Sequence, residues 1–145
     1  MPKINFYVLA DTAPDAHLRF VCRLTEKAVD QGHRVFVRVA NADDAKRIDD
    51  LLWTFGDRSF LPHEIATPTS PSHERIRVLI GQLVGEQSPP EIFRDVLVNL
   101  GIDAPAEIDT LQRVAEIVPA DNKQAARERF KHYRDRGLQA ETHNV

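Results

Sequence analysis

The apolar positions of this chain change period along its length, and the changes mark out its elements. Residues 4–9 (Ile-Asn-Phe-Tyr-Val-Leu) are dense in β-branched and aromatic side chains and predict a first, central strand. The loop Ala10-Asp11-Thr12-Ala13-Pro14 follows. Leu18, Phe20, Val21, Leu24 and Ala28 then recur at helical spacing up to Gly32, which predicts a core-facing helix capped by Asp11 or Thr12 with Pro14 in its first turn. Residues 34–39 alternate again, and a strand returning after about 30 residues fits a parallel βαβ crossover. Asn41 is placed to cap a second helix with an apolar stripe of Ala45, Ile48, Leu51, Leu52 and Phe55. Its Asp43, Asp44, Lys46, Asp49 and Asp50 face water, and Trp53 lies off the centre of the stripe. Residues 56–73 carry Pro62, Pro68 and Pro71 and predict a long loop. Three further strands are expected at 75–80, 95–100 and 111–118, with a turn at Pro89-Pro90 and a short helix over 104–110.

A last helix is predicted over about 122–136. Asp121 or Asn122 is placed to cap it, neither proline nor glycine interrupts residues 124–136, and Gly137 ends it. Strands alternating with helices imply a three-layer α/β fold: a mostly parallel sheet of about five strands with helices on both faces, Rossmann-like in plan. Residues 1–137 are expected to form a single α/β domain. Residues 138–145 are polar and expected to fray as a flexible tail.

The last helix carries the most informative pattern. At about 100° per residue, Lys123, Arg127, Phe130 and Arg134 fall within roughly 60° of one another, with Lys131 at the edge of that sector. Ala126 and Tyr133 lie to one side and are the candidates for packing on the sheet, while Glu128 and His132 point elsewhere. Two readings of the stripe stand. It is a solvated face whose arginines complement the helix dipole, or a docking site for a carboxylate-bearing partner, gripped by arginine beside an aromatic ring.

Composition narrows the classes. At 145 residues the chain is long enough to bury a core without disulfides or metal. A net charge of -3 with interspersed signs argues against a surface that binds nucleic acid as a whole, so the basic helix is a local exception. One cysteine, Cys22, in an apolar helical stretch, suits a buried thiol in a reducing compartment. No leader-like segment opens the sequence and no apolar run reaches the roughly 20 residues of a membrane span, so a soluble, cytoplasmic protein is expected.

Signals for catalysis are missing where this fold would carry them. The turn after the first strand has no glycine to let the backbone approach a pyrophosphate, and there is no Gly-x-x-x-x-Gly-Lys-Ser/Thr, which argues against ATP or NAD bound in the usual way. The six histidines, His17, His33, His63, His73, His132 and His143, have no metal-binding spacing. Ser59 and Ser72 sit in no nucleophile elbow. No enzyme, cofactor or metal is expected on these grounds.

Three stretches together resemble the chi subunit family of the bacterial DNA polymerase III holoenzyme. They are Phe6-Tyr7-Val8-Leu9; Asp44-Ala45 through Asp49-x-x-Leu52-Trp53-Thr54-Phe55 with Ser59-Phe60-x-Pro62-His63; and Lys123-Gln124-x-Ala126-Arg127-Glu128-Arg129-Phe130-Lys131-x-Tyr133-Arg134-x-x-Gly137. The resemblance implies a non-catalytic α/β protein that pairs with the psi subunit of the clamp loader. It also implies binding of the C-terminal tail of single-stranded DNA-binding protein, which is acidic and ends in an aromatic residue with a free carboxylate, so that contact with DNA is indirect. Lys123, Arg127 and Phe130, with Val118 at the strand end, match the family's tail-binding residues, and Arg134 extends their stripe. Phe130 stands where members of the family often carry tyrosine, and the link from Val118 to Lys123 is shorter than in some of them. Trp53 and Phe60 match the surface used by psi and by a helicase that can replace it. The readings that compete with this one are a nucleotide- or small-ligand-binding enzyme of the doubly wound class, and direct nucleic-acid binding through the basic helix.

Overall fold

The computed structural model describes residues 2–54, 61–84, 86–101, 103–106 and 108–145. The strands are β1 (Lys3–Val8), β2 (Val35–Val39), β3 (His63–Ile65), β4 (Val78–Gly81), β5 (Val96–Leu100), β6 (Arg113–Val118) and β7 (Ala140–Asn144). The helices are α1 (Ala16–Asp30), α2 (Ala42–Thr54) and α3 (Lys123–Asp135), with single 3-10 turns at Glu91–Phe93 and Ile108–Thr110. All seven strands join one sheet in the order β3-β4-β2-β5-β6-β1-β7, and every pairing is parallel.

The α/β architecture with helices on both faces is therefore as the periodicity implies, with seven strands in place of about five. One of the extra strands, β3, lies inside the long proline-rich loop. Its three residues are too few to show an alternation. The other, β7, is the polar segment expected to fray. It pairs with β1 from Ile4↔Ala140 to Val8↔Asn144, so the chain end is part of the sheet. An edge strand with small residues facing a helix needs little apolar pattern, because its backbone pairing and the buried Leu138 before it supply the anchoring. The addition also moves β1, expected at the centre, to second from the edge; β5 is the middle strand.

α1 and α2 cover one face of the sheet over Val35, Val37, Val39, Ile80, Val98 and Ile117. α3 covers the other face with Ala126 and Tyr133 against Ile4, Phe6, Val114 and Val118. α1 buries Leu18, Val21, Cys22, Thr25 and Ala28, with Phe20 and Leu24 half-buried at its margin. Its start differs from the expectation. Asp11 Oδ1 accepts the Ala13 N–H at 2.9 Å and closes a turn ahead of the helix. Asp15 then takes the flanking position at φ 60° with no side-chain cap, its carboxylate paired to Arg47 at 2.9 Å. Asn41 does cap α2, accepting the Asp44 N–H at 2.8 Å. Phe55, expected on the α2 stripe, lies outside the described residues. The expected helix over 104–110 reduces to the 3-10 turn Ile108–Thr110.

The end of α3 follows from one residue. Gly137 adopts φ 79°, and the Leu138 N–H reaches back to the Tyr133 carbonyl at 3.0 Å, which turns the chain sharply into β7. The start of α3 has no side-chain cap from Asn122, in contrast to the expected capping by Asp121 or Asn122.

A candidate peptide-binding cleft between α3 and the sheet

β6 delivers Val118 to its C-terminal end, and after four intervening residues the chain enters α3, whose first turns share a cleft with Val118. The helix packs against β6 and β7, and a cleft of about 210 Å³ lies between its N-terminal half and the strands. Its floor and walls are apolar: Phe6 and Val8 of β1, Val118 of β6, and Ala126 and Phe130 of α3, with Thr142 of β7 closing the outer side. Lys123 and Arg127 stand at its rim.

Phe6 and Val118 are buried beneath the hollow, so the apolar surface it offers to solvent comes mainly from the half-buried Phe130 and Val8, between two exposed cations. The Phe6 and Phe130 rings are 5.4 Å apart at 54°, and Phe6 meets Tyr133 edge-on at 5.9 Å, so Phe130 is held by a stack that continues into the core. Lys123, Arg127 and Arg134 form no ion pair among the described residues. An unpaired guanidinium beside an apolar hollow is suited to a carboxylate carried next to a ring. The volume is below the roughly 300 Å³ at the low end of small-molecule pockets, and suits one bulky side chain better than a cofactor.

Four sequence-predicted residues, Val118, Lys123, Arg127 and Phe130, thus come together in one hollow. Arg134 does not line it; it lies two turns further along the exposed side of α3. Trp53 is elsewhere, in the last turn of α2, on the opposite face and toward the opposite end of the sheet. The residue is 56% exposed, and its ring sits 4.7 Å from the buried His63 ring, whose Nε2 is 3.1 Å from Asp49 Oδ1. Phe60, its predicted companion, lies outside the described residues, as does Ser59.

Sequence reasoning missed a buried polar group beneath α3. Glu116 is fully buried and faces Arg129, whose Nε is 2.8 Å from Glu116 Oε1, and Tyr133, whose hydroxyl donates to Glu116 Oε2. Asn99 Nδ2 donates to both carboxylate oxygens at 3.0 Å. Arg38 Nη1 in turn donates to Asn99 Oδ1 at 3.2 Å, and Arg38 Nη2 pairs with Asp103 at 2.7 Å. Burial pushes the Glu116 carboxyl above the usual carboxylate range, against the opposing pull of Arg129, and burial with Glu116 beside it pushes Tyr133 well above an ordinary phenol. Two signals for this group were present. Glu116 occupies an inward position between Val114 and Val118, and Arg129 lies between Ala126 and Tyr133 on the helix's buried side.

The crevice beyond the strand ends, where doubly wound proteins bind ligands, is lined here by Asp11, Asp15 and Asp121 and by no glycine. His17 also lines it and Asp15 is paired to Arg47, which leaves the Asp11 and Asp121 carboxylates to disfavour phosphate. Among the described residues no group of three or more His, Cys, Asp or Glu is placed to hold a metal ion, and no helix is long and apolar enough to cross a membrane.

Comparison with known proteins gives a consistent set of likenesses. The family described as "DNA polymerase III chi subunit, HolC" matches residues 1–141. DNA polymerase III subunit chi of Pseudomonas aeruginosa is 35% identical over 147 residues, spanning 100% of this chain and 98% of the relative. The protein of the same name from Escherichia coli K12 is 28% identical, spanning 98% of this chain and 97% of its own length. Among solved structures, a chain in the crystal structure of T4 UvsW superposes with a TM-score of 0.66 at 12% identity. That match takes in 98% of this chain but only 41% of the UvsW chain, and the likeness is one of fold.

Proposed function

Because the chain belongs to the DNA polymerase III chi subunit family, we propose that it is a non-catalytic accessory subunit of the replicative clamp-loader complex. In this reading it bridges psi to the C-terminal tail of single-stranded DNA-binding protein. One observation carries the proposal: the hollow under α3 combines an apolar floor, a half-buried ring and, at its rim, two cations that form no ion pair among the described residues. The final aromatic ring of the tail enters between Val118, Phe130 and Thr142. Its terminal carboxylate meets Arg127, and the acidic residues before it are drawn by Lys123 and, further along the helix, Arg134.

The psi-binding surface is assigned to Trp53 and Phe60. Support for Trp53 is its exposure: a large aromatic residue more than half exposed, its ring against a buried histidine, is a typical anchor for a partner. Its position away from α3 leaves both partners room to bind at once, as a bridge requires. A nucleotide-dependent enzyme is disfavoured by the acidic crevice at the strand ends. The test is titration of a labelled acidic peptide ending in an aromatic residue, beside the same peptide amidated at its C-terminus and one lacking its last residue. Binding confined to the intact peptide supports the proposal. Equal binding of all three sinks it, because neither the carboxylate nor the ring would then be recognised.

A further inference from the structure

α3 is tied to the sheet by two polar-headed side chains that converge on one carboxylate. Arg129 and Tyr133 are one turn apart on its buried side, and both reach Glu116 of β6. The two tethers differ in kind. Arg129 brings a buried guanidinium, its Nε 2.8 Å from Glu116 Oε1, and contributes chiefly opposite charge. The Tyr133 hydroxyl hydrogen-bonds to the other oxygen and contributes direction. Glu116 is itself held from behind by Asn99 of β5, which Arg38 of β2 holds in turn.

These residues lie in one row across the sheet. Arg38 is in register with Asn99, Asn99 with Glu116, Glu116 with Phe6 and Phe6 with Thr142. The last two line the cleft. On the helix, Arg129 and Tyr133 bracket Phe130, and Arg127 is two residues before Arg129.

We propose that Glu116 is a positioning residue for the cleft: through Tyr133 and Arg129 it sets the rotation of α3 about its own axis, and so places Arg127 and Phe130 opposite Val118 and Thr142. This rests on the tail-binding reading above. The leverage is large. A rotation of about 20° moves side-chain atoms some 5–6 Å from the helix axis by about 2 Å, enough to take a guanidinium out of bidentate register with a carboxylate.

Stability alone does not account for the arrangement. A carboxyl whose folded pKa is raised binds its proton more tightly in the folded than in the unfolded chain. The ionised form therefore subtracts stability as pH rises from the ordinary carboxylate range through the folded pKa. Buried ion pairs are also commonly replaced by apolar side chains at no loss of stability. What apolar packing on Ala126 and Phe130 lacks is a fixed rotation, because smooth surfaces slide where a directed hydrogen bond does not.

The experiment uses the full chain and the labelled tail peptide. Glu116→Gln/Arg129→Met/Tyr133→Phe removes both tethers without leaving a buried charge and keeps every residue that lines the cleft. Expected are a Tm close to wild type and a tail affinity weaker by about tenfold. The variant Glu116→Gln/Arg129→Met keeps Tyr133, whose hydroxyl can donate to the new amide oxygen, and should recover most of the affinity. Should the triple variant not fold, Tyr133→Phe alone carries the test, with affinity falling about threefold at little change in Tm. Wild-type affinity in the triple variant, or in Tyr133→Phe where that stands in for it, overturns the inference, as does affinity that merely tracks Tm across the set. Absence of binding by the wild-type chain overturns the tail-binding reading itself, and this inference with it.

Discussion

Replacing Arg127 with alanine is the sharpest perturbation of the proposed site. Arg127 is exposed and has no ion-pair partner among the described residues, so its removal breaks nothing in the free protein and Tm should not move. In the proposed complex the situation changes. A ring seated on Phe6, Val118 and Phe130 covers the hollow and strips water from the guanidinium and the carboxylate together. A charge-assisted contact in such a partly buried place is worth about 2 kcal/mol, or about thirtyfold in affinity. In the same proposal Lys123 differs, because the acidic residues it attracts stay in solvent. An exposed ion pair contributes nearer 0.5 kcal/mol, about twofold. Arg127→Ala should therefore weaken tail binding by about an order of magnitude more than Lys123→Ala. Fluorescence anisotropy with a labelled peptide measures both, and repeating it with a C-terminally amidated peptide closes a cycle: if Arg127 meets the terminal carboxylate, the amide costs wild type dearly and Arg127→Ala little. Added salt should weaken binding less steeply than for a protein that tracks phosphates, since few charges are neutralised and part of the energy is apolar. Equal losses for the two variants, or a large further loss on amidation in Arg127→Ala, would refute the assignment.

Trp53→Ala should weaken psi binding by about tenfold or more, as expected for an exposed aromatic anchor, while leaving tail affinity unchanged because α2 and α3 lie on opposite faces; an unchanged psi affinity in a pull-down titration would count against that surface. Truncation after Leu138 removes β7, unpairs the edge of β1 and takes away Thr142, and should lower Tm by about 5 °C or more and weaken tail binding, whereas a truncated chain with wild-type Tm and affinity would show that β7 contributes to neither. The Cys22 thiol is fully buried in α1 and its pKa is pushed up to about 12, chiefly by burial, so it should resist a thiol reagent at neutral pH until the chain unfolds; rapid labelling of the native protein would contradict this.

Much of the geometry of the candidate site was legible in the sequence. The helical repeat alone put Lys123, Arg127 and Phe130 on one side of α3 and Ala126 and Tyr133 on another, because side-chain direction on a helix depends only on position in the chain. Alternation and βαβ spacing likewise made the sheet parallel and set helices on both faces. What lies across from those side chains is a different kind of fact. That Phe6, Val8 and Thr142 complete the cleft depends on β1 pairing with both β6 and β7, partners more than 100 residues away in the sequence. No local pattern encodes that order, and the polar sequence of β7 conceals it further, since an edge strand is held mainly by backbone hydrogen bonds that every residue type can make. The buried group around Glu116 is the extreme case. A glutamate among valines and an arginine between an alanine and a tyrosine each look like local irregularities. Only when β6 and α3 are packed face to face do their charges meet, and the desolvation that makes either one costly alone becomes the reason they are held together.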